Sequence, residues 1–146
     1  MILQLTPNTH PILHERVKPC SKDLNRCEIS RILKENMIHY EGIGLSANQI
    51  GIGERVFVMM LNMETEETIT CFNPRIIKRY DDDVWCEEGC LSFPDEIINI
   101  QRPNRIVVNF VDEDKKDHKI KLDGLAARVF LHEFDHLEGI VFTQRQ

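Results

Sequence analysis

The ten residues FLHEFDHLEG, at positions 130–139, restrict what this chain can become more than any other segment. On a helix, Leu125, Val129, His132 and His136 fall on one face, and Ala126, Phe130, Phe134 and Leu137 fall on another. Asp123 in front suits an N-cap and Gly139 behind suits the C′ position. A helix apolar on more than one side belongs in the interior of its domain, so the rest of the chain must supply layers that cover it. Two histidines and two acids would be costly there without partners, and a bound metal ion is the partner that suits them.

Positions i and i+4 of a helix are neighbours about 6 Å apart, so His132 and His136 can present imidazole nitrogens to one ion. Glu133 is rotated by roughly 100° from His132, which brings its carboxylate to a water on the ion without making it a ligand. Catalytic metals usually take three protein ligands, and only ten residues follow His136. The pattern HExxHxxGxxH would need a histidine at position 142, which holds Phe142, and no room remains for a second helix carrying a glutamate. Glu138 stands only two residues past His136, on the wrong side of the helix. The third ligand therefore lies upstream, among His10, His14, His39, His118, the acids and the cysteines. Cys90 leads on chemistry. Gly89 before it lets backbone approach closely, and one thiolate with two neutral imidazoles suits a divalent ion with a position left for water. Cys86 and His118 stay open as alternatives, and a buried structural thiol is the plain alternative for Cys90.

A length of 146 residues suits a single domain over 1–146 with a sizeable core. The net charge of −6 and the lack of a Lys/Arg cluster argue against a nucleic-acid surface. Lys115-Lys116 lies among Asp112, Glu113, Asp114 and Asp117 and suits a solvated turn. No apolar stretch approaches the roughly 20 residues of a membrane span, and the N-terminus has no signal-peptide pattern. Five cysteines without a disulfide spacing fit a reducing cytosol. The first 20 residues, with three prolines, suit an extended arm. Leu24, Ile29, Ile32, Leu33, Met37 and Tyr40 predict a helix over 23–40, with Gly42 as its stop. Strand-like segments follow at 55–61, 67–72, 76–80, 97–101, 105–111 and 118–122, with Asn73-Pro74 as a break between the second and third. The run 106–111 suits a strand buried on both faces. Short strands between two helices indicate an α+β fold.

Three separated segments then match one family together. Gly42-Ile43-Gly44-Leu45-Ser46-Ala47-Asn48-Gln49 resembles the glycine-rich first motif of the peptide deformylases. Glu88-Gly89-Cys90-Leu91-Ser92 resembles their second motif, and His132-Glu133-Phe134-Asp135-His136 their third. The order and separations also fit, over essentially the whole chain. The resemblance implies a hydrolase that removes the N-formyl group from the formylmethionine of nascent polypeptides and releases formate. It implies Cys90, His132 and His136 as metal ligands and Glu133 as the catalytic acid/base. Gln49 and the backbone N–H of Leu91 would stabilise the oxyanion. The implied cofactor is one divalent ion, Fe²⁺ in the cell, with Zn²⁺, Ni²⁺ or Co²⁺ as substitutes. The implied fold is α+β, with antiparallel strands packed around the central helix of the third motif and one further N-terminal helix.

Ile43, Gly44, Leu45, Gly89, Leu125 and Val129 are expected to line the substrate site. Of these, Ile43, Leu125 and Val129 are candidates for a pocket holding the methionine side chain, with ordinary core packing as the plainer role. The expected partners are formylmethionyl peptides and nascent chains, with no nucleic acid and no membrane. The expected setting is the cytoplasm of a bacterial cell, for a bacterial or a virus-encoded protein. Three departures stand out. Ser46 replaces the first of two alanines usual in the first motif, and Leu131 replaces a glutamine that often precedes the third. The chain ends soon after Ile140-Val141-Phe142, so ribosome docking through a C-terminal helix is not expected. Asp135 suits either an orienting contact to a ligand imidazole or a solvated helix edge, and Arg102 resembles a family position whose role does not follow from the sequence. The rivals are a general metallopeptidase, a closed structural zinc site with Cys86 as fourth ligand, and a catalytically silent relative.

Overall fold

The computed structural model describes residues 1–146. Helix α1 spans Arg26–His39, inside the segment that apolar spacing predicts. Asn25 caps it, its side chain accepting the Glu28 N–H at 3.1 Å. At the far end the left-handed residue is Glu41, with φ 58°, and not Gly42. The N–H groups of Glu41 and Gly42 donate to the carbonyls of Ile38 and Met37 and close the last turn. Gly42 serves a different need: a Cβ there would lie 2.7 Å from Leu91 Cδ1.

Helix α2 spans Gly124–Leu137. Asp123 precedes it in extended conformation, but its side chain makes no capping bond. Gly139 follows with φ 75°, and a Cβ there would lie 2.7–2.9 Å from the backbone of Glu15. Conformation and crowding both require glycine at that position.

Seven strands lie between the helices: β1 (Gly44–Ser46), β2 (Val56–Asn62), β3 (Glu67–Arg79), β4 (Asp83–Cys90), β5 (Phe93–Pro103), β6 (Arg105–Val111) and β7 (Asp117–Asp123). A five-stranded antiparallel sheet has the order β1-β2-β3-β6-β7, and β4 pairs with β5 in a separate hairpin. Before α1 the chain forms only one 3₁₀ turn, Pro11–His14, in keeping with an extended arm.

Two strand expectations need correction. Asn73-Pro74 does not end a strand, because β3 runs through it with a register shift against β6 between Phe72 and Arg75. Proline is tolerated at such a bulge, where its missing N–H breaks no ladder bond. The strand at 105–111 is buried on one face only, through Ile106, Val108 and Phe110. The strand covered on both faces is β2. Its Phe57 and Met59 pack against Phe130 and Leu131 of α2, while Val56 and Val58 join Ile32, Leu33 and Met37 of α1. Helix α1 packs on β1 and β2 and reaches β3 through Ser30, whose hydroxyl lies 2.7 Å from that of Thr70. Helix α2 is thereby enclosed by the sheet, the β4–β5 hairpin and the N-terminal arm, with ten of its residues buried.

Candidate metal centre

Helix α2 projects His132 and His136 toward β4, where Cys90 ends the strand. One donor atom from each of Cys90, His132 and His136 lies within 4.8 Å of the other two. His136 Nε2 is 3.3 Å from Cys90 Sγ. The residue brought to the two histidines as a third candidate donor is thus Cys90. Cys86 is exposed on β4 and outside this group, and His118 bonds Asp112 at 2.7 Å instead. A closed four-ligand site through Cys86 is not formed. Phe142, at the position where a downstream histidine would stand in HExxHxxGxxH, packs edge-on against the His132 ring.

The imidazoles are held from outside. His132 Nδ1 donates to Glu88 Oε1 at 2.9 Å, which leaves Nε2 as its free donor atom. Glu88 is itself fixed by Arg102, through Nε at 2.6 Å and Nη2 at 3.0 Å, and by Arg128 Nη1 at 2.6 Å. Burial would raise the Glu88 carboxyl, but hydrogen bonds from His132 and Arg102 bring it down to about 2. Arg102 also reaches Asp135 at 2.9 Å, and Arg145 holds both oxygens of that carboxylate. Asp135 therefore neither orients an imidazole nor lies on a solvated edge. It anchors two arginines. Burial would lower His132, yet contacts with Cys90 and Glu88 carry it up to about 10. His136 is held low, by burial and then by the charges of His132 and Arg102.

Glu133 sits beside the donors and is almost wholly buried, with Oε1 lacking any protein partner. Burial raises its carboxyl to about 7, against the lowering effect of His132. Gly44 of β1 makes room for it, since a Cβ there would lie 2.7 Å from Glu133 Oε2 and 3.0 Å from Val129 Cγ1. A thiolate, two imidazoles and a buried carboxylate with one unpartnered oxygen fit a divalent ion of the catalytic type, with three protein donors and an acid alongside.

Cys90, His132 and Glu133 open onto a cleft of about 440 Å³, with His136 buried behind them. Ile43, Gly44, Gln49, Gly89, Leu91, Leu125 and Val129 line it with Cys90, His132 and Glu133. Leu45 does not. It is fully buried with Ile32, Leu33 and Val58 on the far side of β1, as strand alternation requires once Gly44 faces the cleft. Gln49 accepts the Ser46 N–H through Oε1 at 2.9 Å, and its Nε2 donates to Ser92 Oγ at 3.0 Å. Leu131 is buried in the core against the sheet, away from the donors.

The roles of Glu88 and Arg128 escape the sequence reading. Glu88 directly precedes Gly89 in the second motif, and Arg128 stands four residues before His132. That i, i+4 spacing was the available signal, because both side chains reach the same carboxylate.

The family model for polypeptide deformylase matches residues 2–146. The peptide deformylase of Thermotoga maritima is 40% identical over 136 residues, which cover 92% of this chain and 81% of that protein. The structure of a probable peptide deformylase from Synechococcus phage S-SSM7 superposes with TM-score 0.90 at 37% identity, covering 99% of each chain. A Met-Ala-Ser-bound class I type b peptide deformylase from Acinetobacter baumannii superposes with TM-score 0.91 at 26% identity, covering 100% of this chain and 99% of that one. The chain belongs to the polypeptide deformylase family.

Proposed function

We propose that this chain removes the formyl group from N-terminal formylmethionine of nascent polypeptides at the centre formed by Cys90, His132, His136 and Glu133. The observation that carries this reading is the convergence of three candidate metal donors beside a buried carboxylate with one unpartnered oxygen, with Cys90, His132 and Glu133 facing a cleft. A divalent ion in this donor set supplies Lewis acidity, polarising a carbonyl oxygen and lowering the pKa of water. Ferrous iron is the proposed ion in the cell, since a thiolate with two imidazoles suits it.

The protein's own groups then do the following. Glu133 takes a proton from the water that attacks the formyl carbon, a task suited to a carboxyl poised near 7. Gln49 Nε2 and the Leu91 N–H donate to the formyl oxygen as negative charge develops on it. Removing one such donor typically costs a factor of about 10²–10³. Glu133 passes its proton to the amine nitrogen as the C–N bond breaks. Formate keeps the water oxygen, and the peptide leaves with a free N-terminus.

Ile43 and Val129 form the apolar wall for the methionine side chain, with half-exposed Leu125 at its mouth. Gly44 and Gly89 present main chain to the cleft from β1 and β4, a setting suited to an extended peptide. The Met-Ala-Ser held by the A. baumannii protein is a peptide of the kind this cleft would release.

The test compares formyl-Met-Ala-Ser with Met-Ala-Ser as substrates of the metal-loaded protein. Formate release from the first, with no peptide-bond cleavage in either, is expected. Cleavage of the unformylated peptide would indicate a metallopeptidase instead. For the ion, activity lost in air and regained with nickel supports iron, and full activity that survives air counts against it.

A further inference from the structure

Ser46, Asn48 and Gln49 are all buried, none more than 1% exposed. The Ser46 hydroxyl lies 2.7 Å from Asn48 Oδ1 and 3.0 Å from Gln49 Oε1. A hydroxyl has one proton to give, and the two acceptors differ in what else serves them. Gln49 Oε1 already receives the main-chain N–H of Ser46 at 2.9 Å. Asn48 Oδ1 has no donor but the hydroxyl. The shorter contact therefore takes the proton.

The direction of the Asn48 amide follows from its other end. Nδ2 donates to the main-chain carbonyl of His136 at 2.8 Å and to that of Ile12 at 3.4 Å. Turning the amide over would set two acceptors against each other at His136. The His136 carbonyl belongs to the last turn of α2, where it also accepts the Gly139 N–H at 3.2 Å. Asn48 thus joins the segment carrying Gln49 to the helix carrying two ligands, while Gln49 itself reaches Ser92 of the second motif. Ser46 touches both amides.

We infer that Ser46 and Asn48 are a coupled positioning pair. The Ser46 hydroxyl holds the Asn48 amide, the amide clamps the main chain of His136, and the clamp fixes the spacing between Gln49 and the ligand-bearing helix. Its kinetic consequence rests on the deformylase reading; its structural consequence does not. Ser46→Ala strips the buried Asn48 Oδ1 of its donor, and the clamp loosens without loss of any metal ligand or of Gln49. Neither residue touches the cleft, so the loss falls on kcat rather than on KM.

The experiment uses the full zinc-loaded chain as wild type, S46A, N48A and S46A/N48A. The first readout is hydrogen exchange of the Asn48 side-chain amide by ¹⁵N NMR. The second is kcat and KM for formyl-Met-Ala-Ser. The wild-type Asn48 amide is expected to be protected and to lose protection in S46A. S46A is expected to lower kcat about tenfold, with KM changed by less than about twofold. The double variant is expected to be no slower than N48A. An unprotected Asn48 amide in the wild type overturns the pair whatever the variants do, and equal protection in a folded S46A overturns it too. An unchanged kcat in S46A, or losses that multiply in the double variant, overturns the coupling. If the wild type releases no formate, the deformylase reading fails, and the exchange measurement still decides the pair.

Discussion

Glu88 and His132 are joined by one hydrogen bond, Nδ1 donating to Oε1 at 2.9 Å, and the same carboxylate pairs with two buried arginines. A single acid therefore orients a candidate metal ligand and pairs with both arginines behind it. Removing it leaves the guanidinium groups of Arg102 and Arg128 buried without that partner. Glu88→Ala is expected to lower stability by about 3–5 kcal/mol, the usual cost of breaking a buried pair. Metal affinity should fall about 10–100-fold. Urea unfolding and competition with a chromophoric chelator measure the two effects. Unaltered metal affinity in a folded variant would show that Glu88 does not orient His132.

Glu133 is shifted in the opposite direction from Glu88. Burial raises its carboxyl from 4.5 to about 7 in the folded, metal-free protein. Between those pH values the folded protein holds a proton that the unfolded chain has released, so stability falls as pH rises through that window. Glu133→Gln removes this penalty. Metal-free E133Q should melt higher than the wild type at pH 8, with the gap closing toward pH 4.5. A gap that stays constant with pH would refute the shift.

Gly44 is where β1 meets the base. A Cβ at this position would press on Glu133 Oε2 and on Val129 Cγ1. Gly44→Ala is expected to keep the fold while lowering kcat/KM by about 10²-fold, the scale of a displacement near 1 Å in a catalytic group. Circular dichroism checks the fold and formate release checks the rate. Wild-type kcat/KM would mean that Glu133 can yield without losing its task.

Gly139 shows the same sensitivity at the end of α2, for structural reasons. Its φ is 75°, and the Glu15 backbone occupies the space a side chain would need. Gly139→Ala should cost more than the roughly 1–2 kcal/mol of the left-handed conformation alone. Chemical denaturation reads the difference, and a loss below about 1 kcal/mol would indicate that the arm simply moves away.

Helix α2 was legible because its caps, apolar spacing and paired histidines all agree, and its burial followed from the two apolar faces. The strand β4 was not. Its sequence DVWCEEGC carries three acids and no alternation of apolar residues, because only Glu88 and Cys90 on it are buried. Its partner β5 showed only its middle, where Ile98 and Ile100 pack near Phe142. The stop at Asn73-Pro74 misled because a bulge and a strand end use the same residues. Cys90 could be placed first among the candidate ligands from its neighbours, but its approach to His136 depends on a hairpin that local sequence does not announce. Glu88 was hidden for a related reason. An acid looks solvent-facing until its cations are found, and these lie 14 and 40 residues along the chain.

In the proposed mechanism Cys90, His132 and His136 hold the ion and Glu133 moves the proton of deformylation. Formate release from formyl-Met-Ala-Ser by anaerobically purified protein, beside Glu133→Ala at equal metal content, tests it most directly. Robust turnover by the wild type and a loss of at least about 10²-fold in the variant is the predicted result. No formate from the wild type, or equal turnover by both proteins, would contradict it.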